Sequence, residues 1–495
     1  MELKKSYLAV ALMAATLVGC GSDDDDNDNN TGGNGGGSSA SFVSCDGDTC
    51  TLSGTIDEDY TLTADKTWLL RGFVKVGYGN GGVNNAADVA SLKANGATLT
   101  IEAGTHVRAY NDGVLLVTRG SKLEAVGTAA EPITFSSYQD EDFDGMGEWG
   151  GVIVQGFAPQ YGAGNTGACF EGNTDEVCNV VGEGGTGVGF YGGNDPADDS
   201  GTISYVRIAE AGKVAGPNNE INGLTLQGVG HGTTIDYVQV HNNLDDGIEW
   251  FGGTVNVTHA VLTGNDDDDI DFDTGYKGNV QFAIVRKNPT ATGPSGSNDP
   301  RGIEANSSDE EYVPQTEGAL ANITIVGSEV NKAANSKGDT GQPGMRLRGS
   351  LTARIYNSAV INFTDCVRID DSNTDNDDST TGAGMPSGID SVSNVTLTNV
   401  VGQCDDDFYA KRDADTENGN VGAATVTLDA AAALTAPAGA VSVAAWAPVD
   451  NGSGFAFENT DYIGAVEPGT AAADAWWAGW IIPGSLDGIE TQGQD

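Results

Sequence analysis

Between residues 245 and 273 one strand design occurs twice, 22 residues apart: Asp245-Asp246-Gly247-Ile248-Glu249-Trp250-Phe251, then Asp267-Asp268-Asp269-Ile270-Asp271-Phe272-Asp273. In both, apolar residues alternate with carboxylates, which places the two sets on opposite faces of a strand. A short strand that recurs at a fixed period cannot bury its apolar face alone. Such units stack, and stacking makes one continuous core. Seventy-two glycines suit the tight turns this requires, and few amphipathic helical runs compete.

Aligning the later glycine-led and aspartate-led strands extends the ladder. Leu226, Ile248, Ile270, Ile303, Met345, Val367 and Phe408 fall inside; Glu249, Asp271, Glu304, Arg346, Arg368 and Tyr409 point out. Two residues on, a second outward column reads Phe251, Asp273, Asn306, Arg348, Asp370 and Lys411. Longer intervals are coils carrying loops, visible at 287–298, 306–316, 328–341 and 372–388. A second recurring run, Ile235 to Val240, Val257 to Leu262, Val280 to Val285, Ile323 to Val326 and Val395 to Thr398, turns the other corner of each coil. Loops flanking one sheet give it walls, so the expected surface is a groove running from acidic to basic.

The stretch Gly120-Ser-Lys-Leu-Glu-Ala-Val-Gly-Thr-Ala-Ala-Glu-Pro-Ile-Thr-Phe-Ser136, followed by Glu148-Trp-Gly-Gly-Val-Ile-Val154, resembles secreted proteins of the pectate-lyase-like superfamily. The resemblance spans roughly Leu92 to Trp480 and implies an all-β fold, a right-handed parallel β-helix, over residues 41–455. Asp461-Tyr-Ile-Gly-Ala465 and Trp476-Trp-Ala-Gly-Trp480 look like the ending of a group of bacterial cell-surface β-helix proteins. Residues 456–495 are expected to cap the solenoid, with the three tryptophans sealing its last coil.

The N-terminus looks like a bacterial lipoprotein signal. A basic start, an apolar core and Leu17-Val18-Gly19-Cys20 predict cleavage after residue 19 and lipidation of Cys20. Gly21 after the cysteine implies sorting to the outer membrane, with the lipid as the chain's membrane contact. Residues 20–40, rich in Asp, Gly and Asn, form a tether that cannot bury enough apolar surface to order itself. Six further cysteines in an exported chain predict three disulfides. Cys45 with Cys50 and Cys169 with Cys178 close short loops, which leaves Cys366 with Cys404.

The formal net charge of −48 repels nucleic acid and attracts divalent cations. Glu249 and Asp271 sit one strand spacing apart, with Asp245 and Asp246 beside Asp267 and Asp268. Carboxylates that close repel unless a cation or protons neutralise them, and Ca2+ accepts six to eight hard oxygens. The positions Asp245, Asp267, Asp268 and Asp271 resemble the metal-holding Asp and Asp-Asp-x-x-Asp of one family of Ca2+-dependent pectate lyases. The same aspartates also suit the satisfaction of turn backbone groups.

That lyase family takes its proton with a lysine about one coil on, where this chain has Glu304 and Asn306. Arg301, Arg346 and Arg368 are the substitute bases, and an ordinary arginine is a poor base. Glu249, Asp273, Glu304, Arg346, Arg348 and Arg368 then read as a binding surface for an anionic polysaccharide or a cell-surface partner. A Ca2+-dependent polysaccharide lyase and a structural surface protein without a sugar ligand are the alternatives. Gly182-Glu-Gly-Gly-Thr-Gly187 fits a dinucleotide pattern but lacks its strand-then-helix context, and the four histidines show no metal spacing.

Overall fold

In the computed structural model, the residues described are 40–139, 141–161, 169, 177–216, 220–289, 300–308, 312–329, 332, 341–370, 393–420, 422, 425–436 and 446–492. The signal segment, Cys20, the tether up to residue 39 and most of the four expected loops lie outside them. Ser41–Asp495 is one compact unit. Within it, 27 strands among the described residues join one hydrogen-bonded sheet that winds into a solenoid, a right-handed parallel β-helix. Its N-terminal coil carries an antiparallel hairpin, Val43–Asp46 against Thr49–Ile56, closed by Cys45–Cys50. Cys169–Cys178 and Cys366–Cys404 form as expected.

Each middle coil has three faces. One is the ladder sheet: Val114–Val117, Val152–Gln155, Leu224–Gln227, Ile248–Phe251, Ile270–Asp273, Ile303–Ser307, Met345–Gly349 and Val367–Asp370 pair in parallel, in that order. Its inward residues Ile248, Trp250, Ile270, Phe272, Ile303, Met345, Leu347, Val367 and Ile369 are buried in the shared core. Burying each such side chain contributes about 1.5–3 kcal/mol, so the stack, not any single coil, is the stable unit.

Two rungs of the expected register shift. Leu224, not Leu226, pairs with Ile248, a slip of two residues that keeps the same face inside. At the far end Tyr409, not Phe408, aligns with Val367, so Ala410 follows Arg368. This one-residue slip takes Tyr409 and Lys411 out of the outward columns.

The second recurring run supplies two faces, because each long strand bends in its middle. Thr234–His241, Val257–Thr263, Lys277–Arg286 and Glu317–Val326 carry Tyr237, His259, Phe282 and Asn322 in the left-handed region at the bend. These bend residues stack. Tyr205, Tyr237, His259 and Phe282 form a ring ladder with centroids 4.3, 4.2 and 5.1 Å apart. Asn322, Asn357 and Asn399 continue the corner as side-chain amides.

Two of the three tryptophans expected to seal the last coil pack instead on this corner. Trp480 meets Tyr205 and Tyr237 edge-on, and Trp476 meets Tyr237 and His259. The C-terminal segment is a strap laid along the flank. Val449 N donates to Asn279, Glu458 N to Gln281, Ala465 N to Thr324 and Ile482 N to Gln239. The strap and the hairpin Thr427–Leu428 with Leu434–Ala436 cover outward Val261, Ile284, Val326, Ala359, Ile361 and Val401. Among the described residues no helix is long and apolar enough to cross a membrane.

Candidate functional site

The turns leading into the ladder sheet are built by their own aspartates and asparagines. Asp246 Oδ1 accepts from Asp268 N at 2.9 Å, and Asp268 Oδ1 accepts from Arg301 N at 2.9 Å, one coil further. Asn243 N donates to Asn265 Oδ1, and Asn265 Nδ2 to Asp269 Oδ1. These polar side chains repeat from coil to coil because each satisfies a turn group of its own or of a neighbouring coil. Asp269 turns inward, fully buried, and pairs with the buried Lys287 at 2.9 Å.

Among the described residues, carboxylates converge in three overlapping groups, each with its oxygens within 4.8 Å: Asp245, Asp246 and Asp267; Asp246, Glu249 and Asp271; and Asp268, Asp271 and Glu304. The expected quartet is therefore divided. Asp245 and Asp267 meet in one group, Asp268 and Asp271 in another, and Asp246 links the first to Asp271 through the middle group. Asp268 is also committed to Arg301 through its second oxygen at 3.1 Å. Asp271 Oδ1 is shut off from solvent and has no hydrogen-bond partner. Asp273 lies one step along the sheet and accepts from the buried Tyr161 hydroxyl at 2.6 Å and from Asn306.

Burial pushes the carboxyls of Asp245, Asp246, Glu249, Asp268 and Asp271 well above their ordinary range, and the neighbouring carboxylates push them further. Asp267 is raised to about 8 by burial and by Asp245, against the pull of Arg301. Glu304 behaves oppositely. Burial would raise it, but Arg301 and Arg348 outweigh burial and hold it below the usual carboxylate range. Glu304 is therefore the pivot where the ladder changes sign.

Beyond it the guanidiniums are engaged. Arg346 reaches Asp370 at 3.0 Å and Glu304 at 3.5 Å, Arg348 reaches Glu304 at 2.9 Å, and Arg368 reaches Asp365 at 3.2 Å. All three keep part of their side chains in solvent, Arg348 the most at 40%. Arg301 differs: it is buried, and its Nη1 lies against both Asp268 and Glu304. A guanidinium fixed between two carboxylates cannot take a proton from a substrate, which removes Arg301 from the candidate bases.

A family model described as a pectate-lyase-like β-helix domain matches residues 54–448. The chain belongs to that family. The sheet that carries the carboxylate groups falls wholly inside the matched span of this β-helix family. No curated protein matches the chain. Among solved structures, the crystal structure of the periplasmic alginate epimerase AlgG is similar over 77% of this chain and 80% of its own, at 9% identity and a TM-score of 0.28.

The structure adds site residues that the ladder alone does not reveal. Tyr161 arrives from a distant loop and packs on Tyr312, with ring centroids 5.4 Å apart. Glu183 reaches the cluster from the glycine-rich loop and lies within hydrogen-bonding reach of Glu249. Only contacts across long sequence separations place Tyr161 and Glu183, and no local pattern encodes them.

Proposed function

We propose that this protein binds a uronate-bearing polysaccharide along its ladder sheet, with Ca2+ on the acidic half and arginines on the basic half. The observation that carries this reading is the outward column Glu249, Asp271, Glu304, Arg346, Arg368, paired strand to strand without interruption. The donor set fits the metal: it is all oxygen, and Asp271 Oδ1 is buried without a hydrogen-bond donor. Asp245, Asp246 and Asp267 hold the ion, their oxygens lying within 4.8 Å of one another, with Asp271 joined to them through Asp246, since Asp268 is spoken for by Arg301. Bound Ca2+ neutralises the crowded carboxylates and accepts sugar carboxylate or hydroxyl oxygens.

The partly exposed guanidiniums of Arg346, Arg348 and Arg368 supply bidentate donors for further sugar carboxylates. An elimination mechanism needs a base, and its candidates here are tied up. Arg301 is locked between acids, and Arg346 and Arg368 are ion-paired. Binding is thus the reading the geometry supports. Three disulfides agree with an oxidising compartment outside the cytoplasm, where lipid on Cys20 anchors the body to the outer membrane.

The test is retention of polygalacturonate and of alginate by the full chain, with Ca2+ and then with chelator. Binding that needs Ca2+ and weakens in both Asp271→Asn and Arg346→Ala is expected. Unchanged retention in both variants overturns the reading. Unsaturated, ultraviolet-absorbing sugar ends would replace it with the lyase.

A further inference from the structure

Upstream of Glu249 the first outward column continues through Thr225, Ile153 and Leu116. Ile153 and Leu116 are roofed: Val188 and Ile221 pack over them together with Val114. The glycine-rich loop lies directly on this face. A Cβ on Gly182 would fall 2.4 Å from Gln227 Oε1, and one on Gly184 would fall 3.0 Å from Ile153. Glycines allow the contact, and Gln227 Nε2 fixes the loop by donating to Glu183 O at 2.9 Å. The result places the Glu183 side chain at the rim of the roof, next to Glu249.

Three features of this rim lack an ordinary explanation. Thr225, paired in register with Glu249, is 1% exposed, and its hydroxyl has no hydrogen-bond partner. Asn222, also 1% exposed, donates its amide nitrogen to Glu249 Oε2, while its own Oδ1 has no partner. The charges that act most strongly on Glu249 are Glu183, Asp271 and Asp245, all negative. Buried oxygens without donors are costly, and two adjacent carboxylates add repulsion. Hydroxyl, amide and carboxylate oxygens crowded at one rim are a donor set for Ca2+.

We propose that Glu183, Asn222, Thr225 and Glu249 hold a second divalent cation, upstream of the one assigned to Asp245, Asp246 and Asp267. This deepens the reading above and rests on it in one respect, that the acidic half is a cation surface. The second ion sits where the roof ends and the open ladder begins. It therefore presents a positive centre to the first sugar carboxylate beyond the roof, and it ties the glycine-rich loop to the sheet.

The test is calorimetric titration of the chelator-treated full chain with Ca2+ alone. Two saturable sites are expected. Thr225→Val, which keeps the side-chain shape, and Glu183→Gln should each weaken one site by about tenfold or more and leave the other unchanged. Asp267→Asn should do the converse. In chelator, Thr225→Val should melt no lower than the parent, because it removes an unpartnered hydroxyl, so a loss of Ca2+ there is not a loss of fold. A single site, insensitive to Thr225→Val and Glu183→Gln but lost in Asp267→Asn, overturns the second ion and leaves the first standing. No Ca2+ uptake by the parent overturns both.

Discussion

Lys287→Met isolates the ion pair that holds the acidic turn in place. The Lys287 ammonium donates to Asp269 Oδ2 at 2.9 Å and also to Arg301 O and Asp267 O. Lys287 is 2% exposed and Asp269 fully buried, so Met keeps the volume but leaves a buried carboxylate whose other side-chain donor is Asn265. Removing one partner of such a pair costs about 3–5 kcal/mol. The cost depends on pH in a direction the structure dictates. Burial lifts Asp269 from 3.8 to about 6 even though Lys287 and Asn265 pull it down. A carboxyl with a raised folded pKa stabilises the fold fully below its unfolded pKa, and that contribution is lost as pH rises through the folded one. Without Lys287 the folded pKa climbs higher still. At pH 5 the variant then carries a protonated Asp269 and loses only hydrogen bonds, about 1–2 kcal/mol. At pH 8 it carries the bare charge and the full penalty. Urea unfolding of parent and variant at both pH values, followed by circular dichroism, measures the difference. Adding Asp269→Asn should recover most of the loss at pH 8. Equal losses at the two pH values, or no recovery by Asp269→Asn, would refute the assignment.

Because burial and mutual repulsion raise Asp245, Asp246, Glu249, Asp267 and Asp271, the Ca2+-free protein should melt at progressively lower temperature as pH rises from 5 to 9. Ca2+ at a hundred times its dissociation constant should restore about 2.7 kcal/mol per site, and calorimetric scans with and without chelator check this. Tyr161→Phe removes the 2.6 Å hydrogen bond to Asp273 and the acceptor for Ser308 N, an expected loss of about 1.5–3 kcal/mol by urea unfolding. Truncation after residue 445 uncovers Val261, Ile284 and Ile361; increased binding of a hydrophobic dye and aggregation are expected, and a monodisperse, dye-silent product would contradict the strap's role.

The register of the ladder was legible because Ile248, Ile270, Ile303, Met345 and Val367 each stand beside a charged residue, and alternation fixes the face. It failed at 408–409, where two adjacent aromatics make either phase acceptable. Leu224 and Leu226 are equivalent by pattern, and only the pairing with Ile248 separates them. The strap was missed although its signal was present. Ala260-Val-Leu262 and Ala283-Ile-Val285 are unbroken apolar runs, which means both faces are covered and a cover must exist. Its identity was not readable, since the contacts between Val449 and Asn279 or between Trp480 and Tyr205 join distant parts of the chain. The division of the expected metal quartet likewise depends on Arg301, which reaches Asp268 from one coil further on, a contact that no repeat encodes.

A plain solenoid touches only its nearest neighbours, so it can fray from an end one coil at a time. The strap changes that: it hydrogen-bonds Gln239, Asn256, Asn279, Thr324 and Asn357, residues belonging to five successive coils. Pulling one of these coils loose means peeling the strap from all of them, and the stack acquires all-or-none character. The strap is also synthesised after the coils it covers. Until it emerges, the finished coils display a greasy flank to whatever surrounds them, so arrival of the strap, not stacking of the coils, is the event that makes the particle safe from its neighbours.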